Sequence, residues 1–239
     1  MPRSSLVSIT RDLSRAVSEL RFGAPTAYVY NPLAYARKSH ETYLERYGGG
    51  PGRVLLVGMN PGPFGMMQTG VPFGDVSTVR DFLGIEAKVS APESQHPSRP
   101  VLGFDCPRSE VSGTRLWGWA RDRYGTAERF FERFFVINYC PLAFLESSGK
   151  NRTPDKLPAI EQAPLLAACD RALARMAELL EPSLVVGVGG FAQASARRAL
   201  GAAATQIGCV LHPSPANPKA NSGWAKIVEG QLTELGVAL

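Results

Sequence analysis

The sequence predicts an α/β fold built on a parallel sheet. Three observations predict it. Four short apolar runs, at Val54–Val57, Phe134–Ile137, Leu184–Val188 and Ile207–Leu211, lack the alternation of a half-exposed strand, as strands covered on both faces do. Helical patterns separate the runs, and that order calls for right-handed crossovers between parallel strands. Each run is followed at once by Gly, Asn or His, residue types of ligand-facing loops.

Taken in order, Ser8–Leu20 reads as a helix ahead of the first strand. The Val54–Val57 strand runs into Gly58–Gly74, a loop with five glycines, three prolines and no charge. A merely connecting loop is short and polar; this one is suited to bringing backbone close to a planar or anionic group. Ser77–Gly84 has hydroxyl caps and a closing glycine. Lys88–Gly113, rich in Pro and Ser, reads as a surface excursion. After the Phe134–Ile137 strand comes a polar loop, Glu146–Pro158, carrying Lys150, Arg152 and Lys156. Ala163–Leu180 sets Leu166, Cys169, Leu173, Met176 and Leu180 along one helical face. Phe191–Leu200 is a helix stopped by Gly201, and Ser222–Leu235 is the last. No internal repeat or linker divides the chain. We therefore expect one domain over 1–239, with residues 1–24 contributing a helix packed on it.

Bulk properties bound the function. The chain has 239 residues, 44% of them hydrophobic, enough for a sizeable core. No window approaches the roughly 18 apolar residues of a membrane span, and the N-terminus lacks a signal-peptide core. An intracellular protein is expected, in the cytoplasm or nucleoid of a bacterium or the nucleus of a eukaryote, and a monomer. Cys106, Cys140, Cys169 and Cys209 have no C-x-x-C spacing, so we read them as free thiols and expect no metal. The net charge of +5 modestly favours a polyanionic partner.

In a parallel sheet, ligands gather beyond the carboxyl ends of the strands. Those ends carry Gly58-Met-Asn-Pro-Gly62, Asn138-Tyr-Cys-Pro-Leu142, Gly189-Gly-Phe-Ala192 and His212-Pro-Ser-Pro215. Gly187-Val-Gly-Gly-Phe-Ala192 fits the dinucleotide pattern G-x-G-x-x-A. It follows the third strand, however, and the next strand ends in His212 where an acid is required, so a tight strand-to-helix turn is the stronger reading and no cofactor is expected. His212 is either a backbone-bonded strand-end histidine or a group that stabilises charge on a leaving group. Asn60 is a turn residue or a polar ligand, Asn138 a strand cap or an amide that pairs with a base edge. Phe73 is a core ring or a stacking platform.

Two long stretches carry a resemblance. Gly58–Gly74 (GMNPGPFGMMQTGVPFG) and His212–Trp224 (HPSPANPKANSGW) resemble the single-strand-selective monofunctional branch of the uracil-DNA glycosylase superfamily. Pro100–Gly118 and Asn138–Leu142 look like the same family. The resemblance implies a three-layer α/β/α sandwich around a four-stranded parallel sheet. It also implies hydrolysis of the bond joining uracil, or 5-hydroxymethyluracil-type bases, to deoxyribose in single- and double-stranded DNA, leaving an abasic site without a metal. Residue by residue, Asn60 would position the attacking water and His212 would stabilise charge on the departing base. Asn138 would read O4 and N3–H, Phe73 would stack, and the Met59–Gly62 backbone would lie along the base. Pro213, Ser214, Pro215, Ala216, Asn217, Lys219 and Asn221 would form the segment entering the duplex, with Lys150 and Arg152 on phosphates. Ala216 stands where animal relatives carry arginine, which shifts the expectation toward single strands or mismatches. The rival readings are a superfamily member acting on xanthine or hypoxanthine, and a non-catalytic binder of damaged or single-stranded DNA.

Overall fold

The structure, a computed structural model, describes residues 5–201 and 206–239. The elements in chain order are α1 Leu6–Ser18, β1 Thr26–Tyr30, α2 Pro32–Tyr35, α3 Arg37–Tyr47, β2 Val54–Gly58, α4 Met66–Thr69 and α5 Val76–Asp81. Then come α6 Val111–Tyr124, α7 Ala127–Phe131, β3 Phe134–Asn138, β4 Ala143–Glu146, β5 Asn151–Arg152, α8 Ala159–Leu180, β6 Leu184–Val188, α9 Gly190–Leu200, β7 Ile207–Val210 and α10 Trp224–Glu234.

The four apolar runs form one parallel sheet in the order β3-β2-β6-β7. Every residue of β2 and β6 is buried, so both faces of the central strands are covered by helices. That is why these runs do not alternate. The register pairs Gly58 with Asn138 and Val188 with Val210. All four strands therefore release their loops at the same edge of the sheet. Tyr43 of α3 stacks on Phe135 at 5.5 Å and donates to Val136 O at 2.8 Å. α1 begins with a reciprocal Ser5–Ser8 capping box, and its Leu6, Ile9, Leu13 and Val17 join the main core.

The structure adds elements the sequence did not announce. β1, β4 and β5 form a second, antiparallel sheet, which carries the chain from Leu142 back beside the strand ends. α3 and α6 are helices too polar to show a clear apolar stripe. The helix at the C-terminal end of the long segment begins at Val111, so the irregular part ends earlier than Gly113. That segment is also more than a surface excursion. His96 is buried and its N–H donates to Tyr30 Oη at 2.7 Å. Gln68 of α4 donates to Pro100 O at 3.1 Å and accepts from Leu102 N at 2.8 Å. α8 starts four residues before the expected Ala163, with Pro164 inside its second turn, where the ring removes one i→i−4 bond. No described helix is long and apolar enough to cross a membrane.

Candidate active site

At the common edge of the strands lies a cavity of about 300 Å³ whose lining includes Met59, Asn60, Gly62, Phe73, Asn138 and His212. Three strand ends thus meet as the topology requires. Tyr139 N donates to Gly58 O and Cys140 N to Met59 O, both at 2.9 Å, so the loops after β2 and β3 stay zipped beyond the sheet.

Asn60 and His212 are each oriented by one backbone bond. Asn60 Nδ2 donates to Leu142 O at 3.2 Å, which turns Oδ1, an acceptor, away from that wall. Ser214 N donates to His212 Nδ1 at 3.0 Å, which places the ring proton on Nε2. Burial holds His212 below the ordinary imidazole pKa. At neutral pH it is a neutral N–H donor. Gly189, at φ 96°, stands against this ring: a Cβ there would lie 3.3 Å from His212 Cβ. Gly187 abuts the backbone of Gln193. The glycines of the G-x-G-x-x-A stretch thus make room for helix α9 and His212, which accounts for them as a tight turn.

Asn138 and Phe73 meet over Gly58. A Cβ on Gly58 would come within 2.6 Å of Phe73 Cε2 and closer still to Asn138 Oδ1, so only glycine fits. Asn138 Nδ2 donates weakly to Met66 Sδ at 3.2 Å, while its Oδ1 is buried without a partner. Such an atom in a native structure calls for an explanation. Phe73 sits at φ 53°, a costly conformation for an aromatic residue. Its carbonyl is clasped by Asp75 N at 2.9 Å and lies so close to Gly113 that no side chain fits there. The strain aims the ring at the cavity, 6.1 Å from the His212 ring.

Glu110 was not foreseen. It lines the cavity, accepts from Phe64 N at 3.2 Å and fills the space over Gly62, whose Cβ would lie 2.5 Å from Oε2. Burial raises its carboxyl pKa. Its own N–H is held by Asp75 Oδ1 at 2.8 Å. Asn151 and Thr153 complete one side.

The segment after His212 forms the rim. Arg115 of α6 donates to Pro213 O at 2.9 Å and Asn221 Oδ1 at 2.8 Å. Trp224 Nε1 donates to Leu211 O at 2.7 Å. Ser214 reaches the cavity and its Oγ accepts from Ala216 N at 3.2 Å. Asn217 caps a 3₁₀ turn through Lys219 N, and Asn221 Nδ2 donates to Pro215 O. Pro215, Ala216 and Lys219 are exposed. Arg115 was not foreseen either. Lys150 is exposed, whereas Arg152 is engaged: it pairs with Glu146 at 3.1 Å and also donates to Lys156 O. Arg108, absent from the sequence reading, lies over the Phe64 ring at 3.9 Å, with Arg99 at 5.6 Å. Among the described residues no group of three or more His, Cys, Asp or Glu is arranged to hold a metal.

Comparison with known proteins gives a consistent picture. The sequence profile of the Uracil DNA glycosylase superfamily matches residues 46–228. The chain is 51% identical to the rat "Single-strand selective monofunctional uracil-DNA glycosylase" over 94% of this chain and 82% of the relative. It is 50% identical to the Bos taurus protein described likewise, over 99% of this chain and 89% of that one. The crystal structure of wild-type Pedobacter heparinus SMUG2 superposes with a TM-score of 0.66 at 17% identity, covering 95% of this chain and 97% of that chain.

Proposed function

The chain belongs to the uracil DNA glycosylase superfamily, and from that premise we propose that it hydrolyses the N-glycosidic bond of uracil in DNA, leaving an abasic site. The observation that carries this reading is the partnerless, buried Oδ1 of Asn138 beside an oriented Nδ2. An acceptor and a donor side by side match N3–H and O4 of uracil. Cytosine presents a bare nitrogen and an amine there, which reverses both bonds. A site built around such pairing rejects the mismatched base by about 10⁴-fold or more.

The chemistry follows from the fixed atoms. An extruded base enters the cavity, at a cost of a few kcal/mol for leaving the stack, and lies on Phe73. Asn60 Oδ1 accepts a hydrogen bond from water and aims it at C1′. As the C1′–N1 bond breaks, its electron pair stays with the base, and His212 Nε2–H donates to the O2 that gathers the charge. A neutral imidazole suits this role: it stabilises the anion and keeps its proton. The sugar becomes cation-like, so the water needs aim more than a strong base, and an amide suffices. Bond formation from water to C1′ releases a proton to solvent, and the departing base takes one up.

The reading extends to 5-hydroxymethyluracil-type bases, which present the same N3–H and O4 edge to Asn138. It takes residues 1–239 as one domain, acting as a monomer inside the cell. DNA, single- or double-stranded, is held by the rim from Pro213 to Asn221 and by Lys150. The exposed Ala216 at the tip offers no long side chain to plug a duplex, which supports a preference for single strands or mismatches.

The test is excision from oligonucleotides carrying one uracil, 5-hydroxymethyluracil, xanthine or hypoxanthine, in single and double strands, read by alkali cleavage at the abasic site. Release of uracil and its 5-substituted form is expected. Binding without release would make the protein a DNA binder, and release of the purines alone would reassign Asn138.

A further inference from the structure

The cavity mouth has two flanks, and the parallel sheet finishes them differently. β7, with the Pro213–Asn221 rim after it, stands at one end of the sheet, and β3 stands at the other. Beyond β3 the chain enters the small antiparallel sheet, and Asn151 and Thr153 bring that flank to the cavity. The catalytic floor uses none of the cations on this second flank.

Two of them converge on one ring. Tyr30, buried in β1, donates from Oη to Arg99 O at 2.9 Å and accepts from His96 N at 2.7 Å. His96 Nε2 donates to Ser147 O at 2.9 Å. Gly149 is packed so tightly on this segment that a Cβ would lie 2.9 Å from His96 Cε1. The backbone of Arg99 is thereby fixed between β1 and the turn that carries the exposed Lys150. Arg108 arrives from the other direction, two residues before Glu110, whose Oε2 accepts from Phe64 N at 3.2 Å. The guanidinium carbon of Arg108 lies 3.9 Å from the centre of the Phe64 ring, and that of Arg99 lies 5.6 Å from it. Pro63, the residue before Phe64, lines the cavity beside Glu110. The cluster therefore stands next to the mouth.

Two like charges brought to one ring repel each other, and the ring's electron-rich face offsets that only in part. An anion is needed to complete the arrangement. No carboxylate supplies it: among the described residues neither arginine forms a salt bridge. Arg99 Nη1 donates to its neighbour Ser98 O at 2.9 Å. A guanidinium laid against a ring keeps its in-plane N–H donors free, and their fork suits a phosphate. A base lying in the cavity draws the phosphates on either side of it across the mouth, within reach of this cluster.

We propose that Arg99 and Arg108, steadied on Phe64, bind phosphates of the strand that carries the extruded nucleotide, on the flank away from the Pro213–Asn221 rim. The proposal rests on the reading of the cavity as a base slot given above. It gives the small antiparallel sheet a task, since Tyr30 holds one of the two arginines in place. A strand gripped on both flanks of the slot stays in register without a complementary strand, which favours single-stranded substrates.

Two experiments test this. The first measures the salt dependence of binding to a fluorescent single-stranded oligonucleotide without uracil. Arg108→Ala and Arg99→Ala should each reduce the slope of log affinity against log salt by about 0.7, the release that belongs to one phosphate, at an unchanged melting temperature. The second measures kcat/KM on single-stranded uracil oligonucleotides shortened from either flank. On the long substrate Arg108→Ala should lose about fivefold, the upper worth of an exposed charge pair. The loss should vanish when one flank is cut back, and that flank should be the one whose removal leaves the loss in Lys219→Ala in place. A salt slope unchanged in both folded variants overturns the proposal. So does an Arg108→Ala loss that persists with both flanks cut back, the mark of a purely structural role through Phe64. Strand binding with the expected slopes but no release of uracil would instead sink the functional reading and leave the phosphate contacts standing.

Discussion

Around the cavity, backbone groups hold side chains; in the rim, side chains hold the backbone. Asn60 and His212 are each fixed by a main-chain partner at Leu142 and Ser214, which leaves one chosen atom facing inward. The loop from Pro213 to Gly223 is instead carried by Arg115 and Trp224, and its tip at Pro215 and Ala216 is exposed. Under the proposed function, the difference separates two jobs. The floor must place single atoms to within a fraction of an ångström, because catalysis depends on aim. The rim must present a surface to substrates of variable shape, and two clamps at its base suffice. Changes in the floor should therefore act on kcat, and changes in the rim on KM and salt dependence.

The largest expected effects break the floor. His212→Ala and Asn60→Ala should each lower kcat by about 10²–10³-fold, the worth of one preorganised group, with circular dichroism and oligonucleotide affinity nearly unchanged. Single-turnover excision checks this; a loss confined to KM would erase the distinction between floor and rim. Gly58→Ala should follow. Its Cβ would strike Phe73 and Asn138, so the base slot closes. Overpacking of this kind costs about 1–3 kcal/mol, visible in the melting temperature, and excision should fall roughly tenfold or more.

Acid should weaken the fold through its buried, neutral histidines. His40 takes up a proton near pH 4 when folded and near 6.5 when unfolded. Between those values the unfolded chain binds more protons, so stability falls as pH drops from about 6.5 to 4 and levels off below. The loss is on the order of 3 kcal/mol, and His212, also lowered by burial, adds in the same direction. Denaturant midpoints from pH 7.5 to 4 measure it, and His40→Gln should flatten most of the slope. A slope unchanged in His40→Gln would assign the acid loss elsewhere.

The rim should respond differently. Arg115→Ala removes bonds to both ends of the loop. Excision from duplex should lose about tenfold through KM, as charged hydrogen bonds of partly exposed groups are worth, and excision from single strands less. An equal loss in kcat on both substrates would mean that the clamp serves the floor through Ser214.

The floor was largely legible in the sequence, because its residues follow directly after apolar runs whose pattern marks buried parallel strands. Asn138 ends a strand, Asn60 and His212 lie two positions past one, and topology brings such positions together. Glu110 and His40 were not legible. Glu110 stands in Pro-Arg-Ser-Glu-Val, which reads as a surface acid; the only signal was the pair Gly62 and Gly65, whose missing side chains make space for it. His40 lies on a helix so polar that its buried face, Ser39, His40, Tyr43, Leu44 and Tyr47, does not stand out as an apolar stripe. The antiparallel sheet escaped because β4 and β5 are four and two residues long, too short for alternation to register. Arg115 and Arg108 are ordinary surface cations until the loops they touch are placed.

The smallest effect separates cations that a sequence treats alike. Lys219 is exposed beside the tip, Lys150 is exposed on the polar loop, and Arg152 is committed to Glu146 at 3.1 Å with both partners mostly covered. A phosphate contact releases counterions, so each lysine lost from the interface should reduce the slope of log affinity against log salt by about 0.7 on single strands. Lys219→Ala and Lys150→Ala should show that reduction with kcat unchanged and with no dependence on the sequence around the uracil. Arg152→Ala should leave the slope where it is, because its guanidinium already has a carboxylate, and should lower the melting temperature instead. A salt slope that drops for Arg152→Ala would mean that DNA breaks the Glu146 pair on binding, and the rim would then reach across the small sheet to the far side of the pocket.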